Sequence, residues 1–450
     1  MEDKTVTLII SDLHVGGGDE DQGDDHVYDK QQLRNFIDQQ TKSTEGQKGD
    51  VELIINGDFL EFAQVKSDVY KLGSAKYWCS EAESLLKLKA ITTGHADIFE
   101  AFKRFQEKRN RLTIAAGNHD VDLYWPEVQK HLREVGGPID FELGNVWYSR
   151  YQNRLRITHG HMFDPANKFE RWNDPIIRDA EGGVARLEMC PGTLFMVKFV
   201  NWLEENGYPF ADNLKPVTAL GRILWGESRI GLLTVSWMLM RFAARHPTMV
   251  AGIKEMNEEI GKTLVKAIQR DDKFATEVTA LYQKVRDSSA TVDTVKLNLN
   301  NEDALFDFMT ELIPLLEPKD WMPVFDKAKL GGTMSIGNPG RTLAIKAGNN
   351  VDKQFLWKKA QEQFLLDGAV KVVVMGHTHQ PDEQHSQSGG TYYNPGSWTR
   401  YVDYEKNPNL TLADLANDKD FNYELNYVRV EQMNDKRLES KQITFDTDAR

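Results

Sequence analysis

The residues of this chain whose types and spacing could do chemistry are Asp12 with His14, Asp58, Asn118 with His119 and Asp120, His159 with His161, and His377 with His379. Each group follows a short apolar run and lies beside a glycine: Gly16, Gly57, Gly117, Gly160 and Gly376. Six of the eleven histidines fall in these groups, too many for scattered core or turn residues. Carboxylate, imidazole and amide oxygen are donors suited to Mn²⁺, Fe, Zn²⁺ or Ni²⁺, and no thiolate in the groups narrows the choice. Mn²⁺ is the leading expectation. Two such cations about 3.5–4 Å apart clamp an in-line displacement at phosphorus, and a water between them is acidified and attacks as hydroxide. A shared carboxylate offsets repulsion between the cations. Asp58, at the end of a central run, is the natural bridge.

The elements that must position these groups are short strands. Residues 6–10, 51–55, 112–116, 155–158 and 370–375 are β-branched or apolar runs of strand length. Each delivers its polar group at its end, which predicts an α/β fold. Between them the pattern turns helical. Residues 29–40 place Leu33, Phe36 and Ile37 on one face, and 96–108 do the same with Ile98, Phe99, Phe102 and Phe105. Residues 125–135 start with Pro126 near the N-terminus. Residues 41–50 read as a turn, 61–93 as a mostly helical insertion, 141–150 with 155–158 as a strand pair, and the acidic run 19–25 as a solvated loop.

From about 165 to 356 helical periods dominate, with candidate helices at 193–205, 214–225, 229–245, 251–269, 274–286, 302–316 and 354–366. This is too much pattern for a loop. The expected division is therefore a catalytic domain in 1–165 and 368–450 and a helical insertion or cap in 166–367. Residues 391–398 and 423–430 alternate as edge strands do. The stretch 229–245 is apolar almost all round, with Arg229 and Arg245 at its ends, and Phe195, Phe199, Trp202 and Trp225 add apolar area. It reads either as the core of a helical subdomain or as a groove for an acylated substrate with peripheral membrane contact.

The chain has 450 residues, 40% hydrophobic, with a formal net charge of −13. That is a globular composition, and the acidic balance disfavours non-specific binding along nucleic acid. Cys79 and Cys190 match no C-x-x-C spacing, so two buried free thiols are expected, as suits a reducing compartment. No secretory signal is visible at the start, and no run reaches the about 18 apolar residues of a spanning helix. A cytoplasmic location is the expectation.

Taken together, Asp12-x-His14, Gly57-Asp58, Gly117-Asn118-His119-Asp120, His159-Gly160-His161 and Gly376-His377-x-His379 resemble the motif set of the calcineurin-like metallophosphoesterase superfamily. The resemblance covers roughly residues 1–165 and 368–430 and does not reach the helical insertion. It implies a four-layer α/β/β/α sandwich with two mixed sheets. It implies one metal held by Asp12, His14, Asp58 and His379, and another by Asp58, Asn118, His159 and His377. It implies that His119 contacts the scissile phosphate and serves the leaving oxygen, with Asp120 orienting it.

Ser11-Asp12-Leu13-His14, Gly57-Asp58-Phe59-Leu60-Glu61 and His159-Gly160-His161-Met162-Phe163-Asp164-Pro165 are similar to the UDP-2,3-diacylglucosamine hydrolase branch, which cuts a pyrophosphate in a lipid precursor. Members of that branch often have Arg where this chain has His119, and their cap is shorter. The implied substrate is a phosphorylated small molecule or a lipid-linked pyrophosphate. His161 points either at substrate or metal-bound water, or plays a structural part. Lys168, Arg171 and Arg178 either reach a phosphate or make surface salt bridges. Asn394-Pro395-Gly396-Ser397 resembles a turn that family members carry, and a plain hairpin turn explains it equally. Within the enzyme class the alternative is a nuclease acting on DNA or RNA ends. Outside it, the alternative is a non-catalytic binding module, which would be expected to have lost ligands.

Overall fold

The apolar runs fold as strands buried on both faces. In the computed structural model, the residues described are 3–18, 30–65, 77–201, 204, 208–215, 272, 276, 279–280, 353–404, 406–417 and 421–446. The sheet-forming strands are β1 Val6–Ile10, β2 Val51–Asn56, β3 Arg111–Ala115, β4 Asp140–Glu142, β5 Tyr148–Arg150, β6 Leu155–Ile157, β7 Val372–Val374, β8 Asp382–His385, β9 Thr391–Asn394, β10 Asn426–Gln432 and β11 Leu438–Thr444. They form two mixed sheets. The six-stranded sheet runs β11-β10-β1-β2-β3-β4, and the five-stranded sheet runs β8-β9-β7-β6-β5. Strands β1 to β4 are parallel, while β10 returns antiparallel against β1. In the second sheet β6, β7 and β9 are parallel, and β5 and β8 close its edges antiparallel.

The expected strand 141–150 divides in two, and only its second part pairs with 155–158 as expected. Asp140–Glu142 joins β3 in the first sheet, and Tyr148–Arg150 starts the second. The stretch between them carries Gly144 at φ 81°, and the chain changes sheets across it. The expected turn at 41–50 contains a short helix, Thr44–Lys48. Ser43 Oγ accepts from Gly46 N (2.9 Å), and Gly49 at φ 78° ends it.

Side chains on successive strand positions enter different cores, as a period of two requires. Leu8 and Ile10 of β1 join a core with Phe36, Phe99, Phe102, Phe105 and Val128 from the helices Lys30–Lys42, Ala96–Glu107 and Pro126–Gly136. Ile9 instead joins Ile54, Leu155, Ile157, Val372, Val374 and Val430, drawn from both sheets. Val373 turns the other way, to Leu356, Ala360 and Phe364 of the helix Lys353–Leu366. Each fully buried phenylalanine contributes about 2–3 kcal/mol. Because both faces are covered, these strands read as unbroken apolar runs rather than alternating ones.

By compactness the chain divides into two units: Met1–Lys215, Asn350–Val402 and Leu415–Arg450 in one, Pro216–Asn349 and Asp403–Asp414 in the other. The first unit is wider than the 1–165 and 368–450 segments read from sequence. It takes in Phe169, Trp172, Leu187 and Cys190, which are part of the large core, and the helix Lys353–Leu366. The candidate helix at 193–205 starts as Pro191–Phe195 and continues as a π-helical turn, Met196–Val200. Leu214–Lys215 is a short strand instead of a helix start. The rest of 214–225, the stretches 229–245, 251–269 and 302–316, nearly all of 274–286, and the acidic loop 19–25 lie outside the described residues. Among the described residues no helix is long and apolar enough to cross a membrane. Cys79 and Cys190 are both buried free thiols.

Candidate metal centre

Every polar motif sits on a loop leaving the C-terminal end of a parallel strand, β1, β2 or β3 in one sheet and β6 or β7 in the other. The loops are tied to each other. Leu13 N and His14 N both donate to Asp58 O (2.9 and 3.0 Å), Val15 N donates to Phe59 O (2.9 Å), and Gly376 N donates to His159 O (2.9 Å). Five motif residues adopt left-handed backbone: Asp12 (φ 57°), His14 (47°), Asp58 (50°), His377 (71°) and His379 (56°). Each costs about 1–2 kcal/mol for a residue with a Cβ, so the packed scaffold must impose it. Two glycines are required by proximity. A Cβ on Gly117 would lie 2.1 Å from Asp58 Oδ1, and one on Gly376 would lie 2.1 Å from Ser11 Oγ and 2.6 Å from Asp12 Oδ2.

The side chains converge in three overlapping groups whose candidate donor atoms lie within 4.8 Å of one another: Asp12, His14, Asp58 and His379; Asp58, His159 and His377; and His14, Glu61 and His119. Nε2 of His14 faces Nε2 of His379 at 3.0 Å, and the latter lies 3.3 Å from Asp12 Oδ1. Asp58 Oδ2 is 3.1 Å from His159 Nε2 and 3.9 Å from His14 Nε2, so this carboxylate belongs to two groups. His159 Nδ1 donates to the Asn56 carbonyl (2.8 Å), which turns Nε2 inward to Asp58. The backbone N–H groups of His377 and His119 donate to Asp12 and Asp58 (3.1 and 2.9 Å) and fix those carboxylates in place.

The partner of His119 differs from expectation. Its Nδ1 lies 2.6 Å from Glu61 Oε2, and His14 Nδ1 lies 2.8 Å from the same oxygen. Asp120 does not orient His119. Its two oxygens accept from the backbone of Gly117 (2.6 Å) and Phe59 (2.8 Å), bracing the two loops together. Sequence reasoning quoted Glu61 within a motif but gave it no role. Its position three residues after Asp58, on the same loop, is the signal that was there to use.

Burial opposes charge throughout the cluster, yet close opposite charges win. Burial would raise Asp12, but the His159 and His379 imidazoles hold it down at about 2. Asp58 is held well below the usual carboxylate range by His159 and His119 against the same burial. Burial would lower His119 and His159, but Glu61 and Asp58 lift the first to about 10, and Asp58 and Asp12 lift the second to about 9. Burial and the Asp58 charge push Asp120 up to about 7. Acids and imidazoles thus hold one another's protons where a divalent cation would compete for the same lone pairs.

His161 is buried against the edge of Trp172, with ring centroids 4.3 Å apart, and neither ring nitrogen has a hydrogen-bond partner. Burial, then the neighbouring His159 and His377, keep it neutral. It borders a small recess with His159, Tyr148, Met162 and Trp172. The three basic side chains expected as substrate contacts are exposed. Arg171 and Arg178 lie at the surface and pair with Asp174 (4.0 and 2.8 Å), and Lys168 is exposed. Asn394 is committed to the loop that carries His377 and His379 and to its own turn. Its Nδ2 donates to Gly376 O and Thr378 Oγ1 (both 3.0 Å), and its Oδ1 accepts from Gly396 N (2.9 Å).

The residues fit divalent cations. The donor set is hard-to-borderline oxygen and nitrogen. Asn118 presents a buried Oδ1 with no hydrogen-bond partner, while its Nδ2 is anchored on Asn167 (3.3 Å). An orphaned acceptor beside His and Asp donors is what a cation would complete. Buried His, Asp and Glu groups that can hold metal are therefore a property of this fold. No protein-family model matches this sequence, and no curated protein matches it either.

Proposed function

We propose that this protein is a metal-dependent phosphoesterase that hydrolyses a phosphate ester or pyrophosphate bond. The observation that carries the reading is the double membership of Asp58, a carboxylate common to the Asp12–His14–His379 group and the His159–His377 group. Asp12, His14, Asp58 and His379 would hold one cation, and Asp58, Asn118, His159 and His377 the other. Two divalent cations, with Mn²⁺ first among the candidates, would supply Lewis-acid activation of water and charge neutralisation at phosphorus.

The chain's own groups do the rest. His119, with Nδ1 bonded to Glu61, has Nε2 left to hold a proton for the departing oxygen. Glu61 keeps both His119 and His14 in one tautomer by accepting from each Nδ1. The motif resemblance and the three cores, two flanked by helices and one shared by the two sheets, support the four-layer α/β/β/α arrangement. The substrate class we infer is a phosphorylated small molecule or lipid-linked pyrophosphate. The net charge of −13 supports this over a polynucleotide.

The test is hydrolysis of p-nitrophenyl phosphate and bis-p-nitrophenyl phosphate by the purified chain with added Mn²⁺, followed by a screen of nucleotide–sugar and lipid pyrophosphates. Turnover that a chelator abolishes is expected. Absence of turnover with Mn²⁺, Fe, Zn²⁺ and Ni²⁺ alike would defeat the reading.

A further inference from the structure

The segment following the fourth motif reaches back to two of the candidate ligands, and its hydrogen bonds have only one consistent direction. Asp164 Oδ2 lies 3.0 Å from His377 Nε2, and the same oxygen accepts from Asn167 Nδ2 (2.7 Å). Its Oδ1 accepts from Ala166 N (2.9 Å). An ionised carboxylate can only accept, so each partner must turn a donor towards it. His377 therefore carries its proton on Nε2, which leaves Nδ1 as the bare ring nitrogen. Asn167 must turn its NH₂ towards Asp164, and so its Oδ1 faces Asn118. Asn118 answers with Nδ2 (3.3 Å). That leaves Asn118 Oδ1, buried and without a partner, as the free acceptor. The opposite rotation of either amide would set oxygen against oxygen.

The segment is held rigidly enough to transmit this direction. Asp164 N donates to His161 O (2.9 Å), Asn167 N to Asp164 O (3.0 Å), and Gly192 N to Ala166 O (2.7 Å). Gly192 lies so close that a Cβ there would fall 2.0 Å from Asn167 Oδ1. Among the described residues Asp164 is not a member of the three candidate donor groups.

We propose that Asp164 is a positioning residue that sets the hydrogen-bond polarity of the His377 and Asn118 subsite, with Asn167 as its relay, so that both ligands offer bare acceptor atoms to a divalent cation. This rests on the two-cation reading above. One carboxylate outside the donor groups thus selects a histidine tautomer and an amide orientation together. In the Asp12–His14–His379 subsite the corresponding carboxylate is Glu61, which lies 2.8 Å from His14 Nδ1.

The deciding variant is Asp164→Asn, whose amide can donate as well as accept and so releases both constraints. In metal-free protein at mildly alkaline pH, ¹⁵N imidazole shifts are expected to report His377 as the Nε2–H tautomer in the wild type and as a mixture in Asp164→Asn. In Mn²⁺ titrations the variant is expected to bind one equivalent as the wild type does and the other about 10–100-fold more weakly. Asn167→Ala should weaken the same equivalent while leaving the His377 tautomer unchanged, and it carries the test if Asp164→Asn fails to fold. An Nε2–H tautomer that persists in Asp164→Asn, with both equivalents bound at wild-type affinity, would overturn the proposal. A wild type that takes up fewer than two cations would instead remove the two-cation reading, and the tautomer measurement would still decide what Asp164 does.

Discussion

Two buried polar clusters sit on the same sheets, and they are built in opposite ways. Around Glu52, which is fully buried, every charge has its counter-charge. Arg150 Nε lies 3.1 and 3.0 Å from the two Glu52 oxygens and Nη2 lies 2.9 Å from Oε1, Thr113 Oγ1 donates at 2.8 Å, and Arg150 also reaches Glu142 (2.9 Å). At the strand ends, Asp12, Asp58, Glu61 and Asp120 are equally buried, yet no lysine or arginine pairs with any of them among the described residues. Their partners are imidazoles and backbone N–H groups, and the buried amide oxygen of Asn118, next to His119 in the chain, has no hydrogen-bond partner. A cluster that closes on itself holds sheets together. One that converges carboxylates and imidazoles without a lysine or arginine is arranged for a cation from outside.

The comparison can be broken most sharply at Asp58. Asp58→Asn should abolish phosphoester turnover and lower Mn²⁺ uptake while the thermal melt still reports a folded protein. Full activity in that variant would erase the distinction between the clusters. His119→Ala comes next, with kcat expected to fall by about 10²–10⁴-fold and cation content unchanged. Loss of metal in that variant would move His119 from proton handling to ligation. In the self-satisfied cluster the sign of the effect changes. Glu52→Gln should cost about 3–5 kcal/mol of stability by denaturant titration, as breaking a buried ion pair does, while the folded fraction keeps its kcat. The smallest effect belongs to Arg171→Ala and Arg178→Ala, which should leave kcat/KM and Tm essentially unchanged, as their pairing with Asp174 implies. A clear fall in kcat/KM would return them to the substrate.

The motif residues were legible because each apolar run ends in a polar residue beside glycine, and such loops have little freedom in where they point. His14 and His379 are 365 positions apart, yet their rings meet because β1 and β7 each deliver their loops to one place. What the sequence hid was partner choice. Glu61 and Asp120 are both carboxylates within a few residues of the cluster, and only the approach of the β2 and β3 loops assigns His119 to the first and the backbone to the second. Asn394 read either as a substrate contact or as a plain turn residue, and its amide is spent on the loop of Gly376 and Thr378 and on Gly396. The change of sheet between Glu142 and Tyr148 was likewise invisible, since the two short strands read as one strand over 141–150. Local periodicity reports which residues form strands, whereas contacts between loops of different strands leave no local trace.

The central claim is that Asp58 lies between two cations. Anomalous diffraction at the manganese edge, on crystals equilibrated with Mn²⁺, tests it most directly. The account predicts two peaks flanking the Asp58 carboxylate, one beside Asp12, His14 and His379, the other beside Asn118, His159 and His377. A single peak, or none at these side chains, would contradict it.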